Sequence, residues 1–172
     1  MAAFSLGLSA KLVLRFGIRL PLTAGLLFAT VGLVLFARAP VDGSIVVDVL
    51  PGMILLGLGA GIAFNPLLLG AMSEVDPSEA GVASGVVNTS FMMGGALGLA
   101  VLASLAAYRT DSLLAAGDDA LVALNGGYHA AFFVGAAFAA SAGVLSAVLL
   151  RAPAAAPAAT AAPAAATVLG DD

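Results

Sequence analysis

The sequence contains no cysteine and a single histidine, and charge is scarce: 6 Lys and Arg with 10 Asp and Glu make up 9% of its 172 residues. Without cysteine there is neither a disulfide framework nor a thiolate metal site, and no redox compartment can be inferred. One histidine and widely scattered acids offer no metal-ligand cluster and no nucleophile with a base beside it, so the catalytic, metal and cofactor readings are all none. Charged residues make up about a quarter of an ordinary soluble domain. At 9%, against 62% hydrophobic residues, this chain has too few polar groups to cover a water-facing surface. The net charge of −4 comes from acids in short connecting segments and at the tail, and no basic patch invites nucleic acid.

What the sequence has in abundance is long apolar runs. Between charged residues it is apolar over 20–37, 49–73, 80–108 and 120–150. A helix rises about 1.5 Å per residue and the hydrocarbon layer is about 30 Å thick, so roughly 20 apolar residues cross a bilayer. Each run supplies about that or more, and none shows the polar face of an aqueous helix. The expected fold class is therefore all-α integral membrane: four transmembrane helices at about 20–37, 49–73, 78–108 and 127–150, together forming a region over 20–151, with the lipid bilayer as partner. Residues 1–10 read as the end of a truncated transmembrane helix, since they are too short to span and lack the basic leader and cleavage site of a secretory signal. Residues 11–19 read as a basic cytoplasmic loop. The Ala- and Pro-rich stretch 152–172 reads as a disordered tail.

Basic residues are retained on the cytoplasmic side of a membrane. Lys11, Arg15 and Arg19 precede the first span, and with Arg151 they would face inward while Arg38 and Arg109 face outward. The expectation is a multi-pass protein of the cell inner (plasma) membrane with a cytoplasmic C-terminus. Tyr108 and Tyr128 then fall at the outer interface, where amphipathic rings are favoured.

Local signals refine the spans. Pro21 is tolerated in a first helical turn. Pro66 removes a backbone donor within the second run, which predicts a kink beside Asn65. Asp76-Pro77-Ser78-Glu79 reads as a helix start, with Asp76 as N-cap and Glu79 reaching back to it. Asn125-Gly126-Gly127 is expected to break the fourth run, so that its helix begins near Tyr128. Gly57, Gly61, Gly81, Gly85, Gly94 and Gly98 recur at small-residue spacing that lets membrane helices approach closely. Every Asp and Glu is expected in a loop or the tail.

Several arrangements invite chemistry. Ser84 before Gly85, with His129, suggests an intramembrane serine protease. The two lie on opposite membrane sides in this topology, roughly 20 Å or more apart, beyond hydrogen-bond reach. His129 is instead expected to pair with a loop carbonyl or water. Gly57-Leu58-Gly59-Ala60-Gly61 looks like a nucleotide-binding loop but sits inside an apolar helix, not between a strand and a helix. The polar groups deep enough to matter are Asn65, Asn88, Thr89 and Ser90, which either bond across helices or face a water-filled cavity. Met92 and Met93 have flexible thioethers that either line a path for hydrophobic small molecules or, as is usual for Met in a membrane helix, only pack or meet lipid. The expected substrate path is Asn65, Asn88, Thr89 and Met92.

The stretch 11–19, with Arg15, Gly17 and Arg19 followed by a span, resembles the basic cytoplasmic loop repeated in each half of major facilitator superfamily transporters. Leu14 stands where that loop has an acid and Ala10 where it has its first glycine. The run from Gly57 to Pro66, then Ala80-Gly81-Val82-Ala83-Ser84-Gly85-Val86-Val87-Asn88-Thr89, then Gly94-Gly95-Ala96-Leu97-Gly98, is similar to the late helices of the fourteen-span drug and proton antiporter family. Phe91 and Met92 replace the family's basic and amide residues before the double glycine. The resemblance implies the C-terminal portion of a helical bundle working by alternating access, driven by inward proton flow. Its substrate would be a hydrophobic small molecule. The second span would line the cavity, the third would face the missing transporter half, and the first and fourth would be scaffold. The alternative is a small structural subunit packing through its glycine faces against a neighbouring membrane subunit or against itself.

Overall fold

The computed structural model describes residues 11–150. The truncated-helix reading of 1–10 and the tail reading of 152–172 lie outside them. The described residues form α1 (Arg19–Phe36), α2 (Leu50–Met72), α3 (Ala80–Ala115) and α4 (Ala120–Leu149), and a π-helical turn, Ile45–Val49, leads into α2. All four helices are long and apolar enough to cross a membrane.

The basic segment is not a plain loop. Residues 11–16 are helical and end at Gly17, whose φ of 73° is the left-handed conformation that closes a helix, with its N–H on the Val13 carbonyl at 2.9 Å. Arg15 lies over the Phe16 ring at 5.5 Å, and Arg19 opens α1. Pro21 falls in the first turn of α1, as expected.

α1 is the centre of the assembly. It packs antiparallel against α2 through paired glycines: a Cβ on Gly25 would stand 2.6 Å from the Gly59 carbonyl oxygen, and one on Gly32 would stand 2.9 Å from that of Gly52. Backbone meets backbone at both places, which gives van der Waals contact where lipid removes the hydrophobic drive between helices. On its other side α1 meets α4 through a Phe36–Phe132 stack at 5.4 Å and a hydroxyl pair, Thr23 with Ser146, at 3.4 Å. α3 is held by α4. Gly127 sits against the Ala106 carbonyl and Thr110 of α3, leaving no room for a side chain. No residue of α3 is buried.

The structure corrects several expectations. α4 is not broken at Asn125-Gly126-Gly127 but runs continuously from Ala120. A helical glycine costs about 1 kcal/mol against alanine, and the close approach of α3 at Gly127 offsets that cost. α3 does not stop at Tyr108. It continues through Arg109 and Asp111 to Ala115, so Asp111 is helical, not in a loop. The stop lies at Gly117, φ 95°, where Asp118 N–H bonds the Leu113 carbonyl and Gly117 N–H bonds that of Leu114. This pair of bonds is the glycine C-cap motif, with Gly117 in the left-handed position.

α2 passes through Pro66 as one helix, and Pro66 is fully buried. At the start of α3, Asp76 makes the expected kind of cap one turn early. Its Oδ1 accepts from Ser78 N–H at 2.9 Å and from Ser78 Oγ at 2.7 Å, the helix begins at Ala80, and Glu79 makes no side-chain cap bond.

Candidate functional site: a cleft between the second and third helices

α2 and α3 barely touch, because α2 leans on α1 and α3 on α4. The two sides of α2 explain the gap. Gly59, Ile62, Ala63 and Pro66 recur at helical spacing and are buried. Gly59 and Ala63 meet α1 directly at Gly25. Phe64, Leu67, Leu68, Ala71 and Met72 lie away from that stripe and line a cleft of about 730 Å³. The opposite wall is Ser84, Val86, Val87, Asn88, Ser90 and Phe91 of α3. The volume lies within the roughly 300–1,000 Å³ of small-molecule sites, and mostly apolar walls with a few polar groups are their usual chemistry.

At the far end of the cleft Phe64 and Phe91 meet edge to face, ring centres 6.1 Å apart. The near end adjoins a second hollow of about 460 Å³, which shares Ala71, Val86 and Val87 and bears Glu74 and Glu79. Charge therefore stands only at this mouth, and no charged side chain lines the cleft itself. In the loop between the two helices, the bonds from Ser78 hold the Asp76 carboxyl below the ordinary aspartate range.

Of the four expected path residues, only Asn88 lines the cleft. Thr89 and Met92 are exposed on another part of α3, and half-buried Asn65 is not among the lining residues. Ser84, Ser90 and the two phenylalanines do line it, although only Ser90 among them carried an expectation of facing a cavity. The signal for the phenylalanines was their spacing from residues already singled out: Phe91 lies one turn beyond Asn88, and Phe64 adjoins Asn65. Ser84 returns its hydroxyl to the Ala80 carbonyl at 2.9 Å, as serines within helices do. Of the glycines read as packing devices, Gly57, Gly81, Gly85, Gly94 and Gly98 face open space, where an added Cβ would meet nothing within 4 Å. Close glycine contacts inside the described residues run through Gly59, within the Gly57–Gly61 stretch, and through Gly25, Gly32, Gly52 and Gly127.

At the opposite end of the bundle His129 is bonded to the Ala39 carbonyl, and Asn125 joins it there. Ser84 is near the start of α3, at the other end, so these two residues form no catalytic pair. No group of three or more metal-ligating side chains occurs among the described residues.

Helices packed by glycine, an apolar cleft and four helices long and apolar enough to cross a membrane describe a membrane-type helical bundle. The Major Facilitator Superfamily pattern matches residues 1–99, and the chain belongs to that family. It is 36% identical over 145 residues to the puromycin resistance protein pur8 of Streptomyces alboniger, covering 83% of this chain and 29% of that protein. It is 36% identical over 107 residues to the multidrug resistance protein Stp of Mycobacterium tuberculosis, covering 62% of this chain and 20% of the relative. A lincomycin resistance protein of Streptomyces lincolnensis is 44% identical over 71 residues, 41% of this chain and 15% of its own length. The chain thus spans under a third of the length of these relatives. No solved structure matches it. It is a multi-pass membrane protein of a transporter family.

Proposed function

We propose that the chain is the C-terminal part of a proton-coupled drug-efflux transporter, with the α2–α3 cleft on the substrate path. The observation that carries this reading is the cleft itself, an apolar space of small-molecule size walled by two helices that scarcely contact each other. Asn88 is the polar group that would orient a ligand there, and Ser84 and Ser90 support it. The chain sits in the plasma membrane with Arg19 and the Glu74–Glu79 loop at the cytoplasmic face, supported by the basic residues before α1. The coupling proton would be carried by helices outside this chain, because the acids of the described helices lie near helix ends, Asp111 among them. Alternating access would need an opposing half to close the cavity.

The test is drug susceptibility of cells expressing this chain alone or together with the upstream half of a relative. Resistance is expected only from the pair, and Asn88→Ala should reduce it. Resistance from the chain alone would overturn the reading.

A second reading, a structural membrane subunit, is favoured by one observation. Gly81, Gly85, Gly94 and Gly98 present small residues along α3 with nothing against them. Cross-linking in membranes would then recover a stoichiometric oligomer, and a monomer would exclude it.

A further inference from the structure

We propose that Phe64 and Phe91 form an aromatic clasp that selects ligands with a planar, uncharged aromatic group, whose ring replaces one phenylalanine against the other. The proposal rests on the reading of the α2–α3 cleft as a ligand site and adds which side chains decide what enters it.

Three observations carry it. The two rings meet edge to face, centres 6.1 Å apart and planes at 81°, and theirs is the one ring contact that joins α2 to α3 among the described residues. They bound the end of the cleft remote from Glu74 and Glu79, so a ligand group reaching them leaves charge behind. Both rings are accessible, Phe64 at 46% and Phe91 at 60% of full exposure, so neither is committed to a packed core.

An edge-to-face contact is held by the ring quadrupole, the positive edge of one ring on the negative face of the other. A flat ligand ring offers the same edges and faces and exchanges with a phenylalanine at little cost. An aliphatic ligand of equal greasiness has no quadrupole and must separate the rings without compensation. α1 and α4 hold the two walls in place, and this pair is the ring contact that bridges the cleft between them.

The absence of cysteine permits a clean test. Leu68→Cys and Val87→Cys place one thiol on each wall of the cleft and leave both rings intact. In membranes containing the chain, the rate of bridging by a short bifunctional thiol reagent is measured with pyrene, with dodecane, and with neither. Pyrene should slow bridging by about 2- to 10-fold, the range in which a contact of this kind shifts an equilibrium, and dodecane should not. Phe91→Leu keeps the apolar bulk but not the ring, so it should abolish the pyrene effect, and Phe91→Trp should restore it.

Equal responses to pyrene and dodecane, a pyrene effect that survives Phe91→Leu, or no bridging at all would each overturn the clasp. Failure of the efflux reading shows separately, as an Asn88→Ala variant that leaves drug resistance unchanged when paired with the upstream half.

Discussion

His129 Nε2 lies 2.8 Å from the carbonyl oxygen of Ala39, and Asn125 Nδ2 reaches the same oxygen at 3.2 Å. A carbonyl only accepts, so Nε2 of His129 carries the proton. Two side chains one turn apart on α4 thereby hold the chain leaving α1, just before Pro40. The Phe36–Phe132 stack lies beside them. This end of the bundle is tied by directional bonds, while the α2–α3 side at the other end is joined by a single ring contact.

Because the Ala39 carbonyl has two donors, either one suffices to satisfy it. His129→Ala or Asn125→Ala alone should cost about 0.5–1.5 kcal/mol, the net worth of a hydrogen bond. The double variant should lose more than the sum, since it strands the carbonyl. Thermal unfolding of the purified chain in detergent checks this, and strict additivity would mean the two bonds do not share a role.

Glycine substitutions should divide by location. Gly25→Ala and Gly59→Ala drive a Cβ to 2.6 and 2.5 Å from the opposing backbone carbonyl, and overpacking of this kind costs typically about 1–3 kcal/mol. Gly57→Ala and Gly85→Ala meet open space and should stabilise the isolated chain by roughly 0.5–1 kcal/mol through helix propensity. The same unfolding measurement separates the two groups. If Gly85→Ala instead abolishes resistance in the paired transporter, its open face is used by another helix.

The attachment of α3 depends on Gly127. A Cβ there collides with the Ala106 carbonyl and with Thr110 Oγ1, which is itself bonded to that carbonyl at 2.9 Å. Gly127→Leu should detach α3 from α4, while Gly135→Ala, with its nearest neighbours at 3.7 and 3.8 Å, should be tolerated. Spin labels on Leu102 and Ala136 would report the separation as a broadened, longer distance distribution.

The turn before α3 should loosen in acid. The carboxyl of Asp76 is held below its ordinary range chiefly by the Ser78 hydroxyl and then by the Ser78 amide. A depressed carboxylate stabilises the turn above the unfolded pKa and loses that contribution as pH falls through the folded one. Hydrogen exchange at the Ser78 amide should therefore be protected near neutrality beyond the intrinsic pH trend and lose protection only in strong acid. In Ser78→Ala the loss should begin at higher pH.

Orientation is open to a direct check in a chain without cysteine. Ser44→Cys should react with an impermeant maleimide in intact cells, and Val75→Cys only after permeabilisation. The reverse pattern would invert the topology.

Much of the architecture was legible because lipid imposes a simple rule. Backbone polar groups cannot be left unpaired in hydrocarbon, so long uncharged runs between charged residues have to be helices. Helix ends were less legible where charge stood in for the boundary. Arg109 suggested an end, yet α3 is 36 residues long, about 54 Å, and runs on to the glycine stop at Gly117. Asn125-Gly126-Gly127 suggested a break because local propensity disfavours helix there, and packing against α3 overrode it. The His129 pairing with a loop carbonyl was foreseeable, since a polar ring near a membrane boundary needs a partner, but nothing local pointed to Ala39.

The residues alone determined that this chain enters lipid, that four of its described helices are long enough to span, and which superfamily pattern it carries, because those follow from the spacing of charge and glycine along one dimension. Only the tertiary structure decided which glycines touch, and that Phe64, Asn88 and Phe91 share a cleft while Asn65, Thr89 and Met92 stay outside it. A helix turns about 100° per residue, so neighbours in sequence face different partners, and the choice among faces belongs to the packing of α1 against α2 and of α3 against α4.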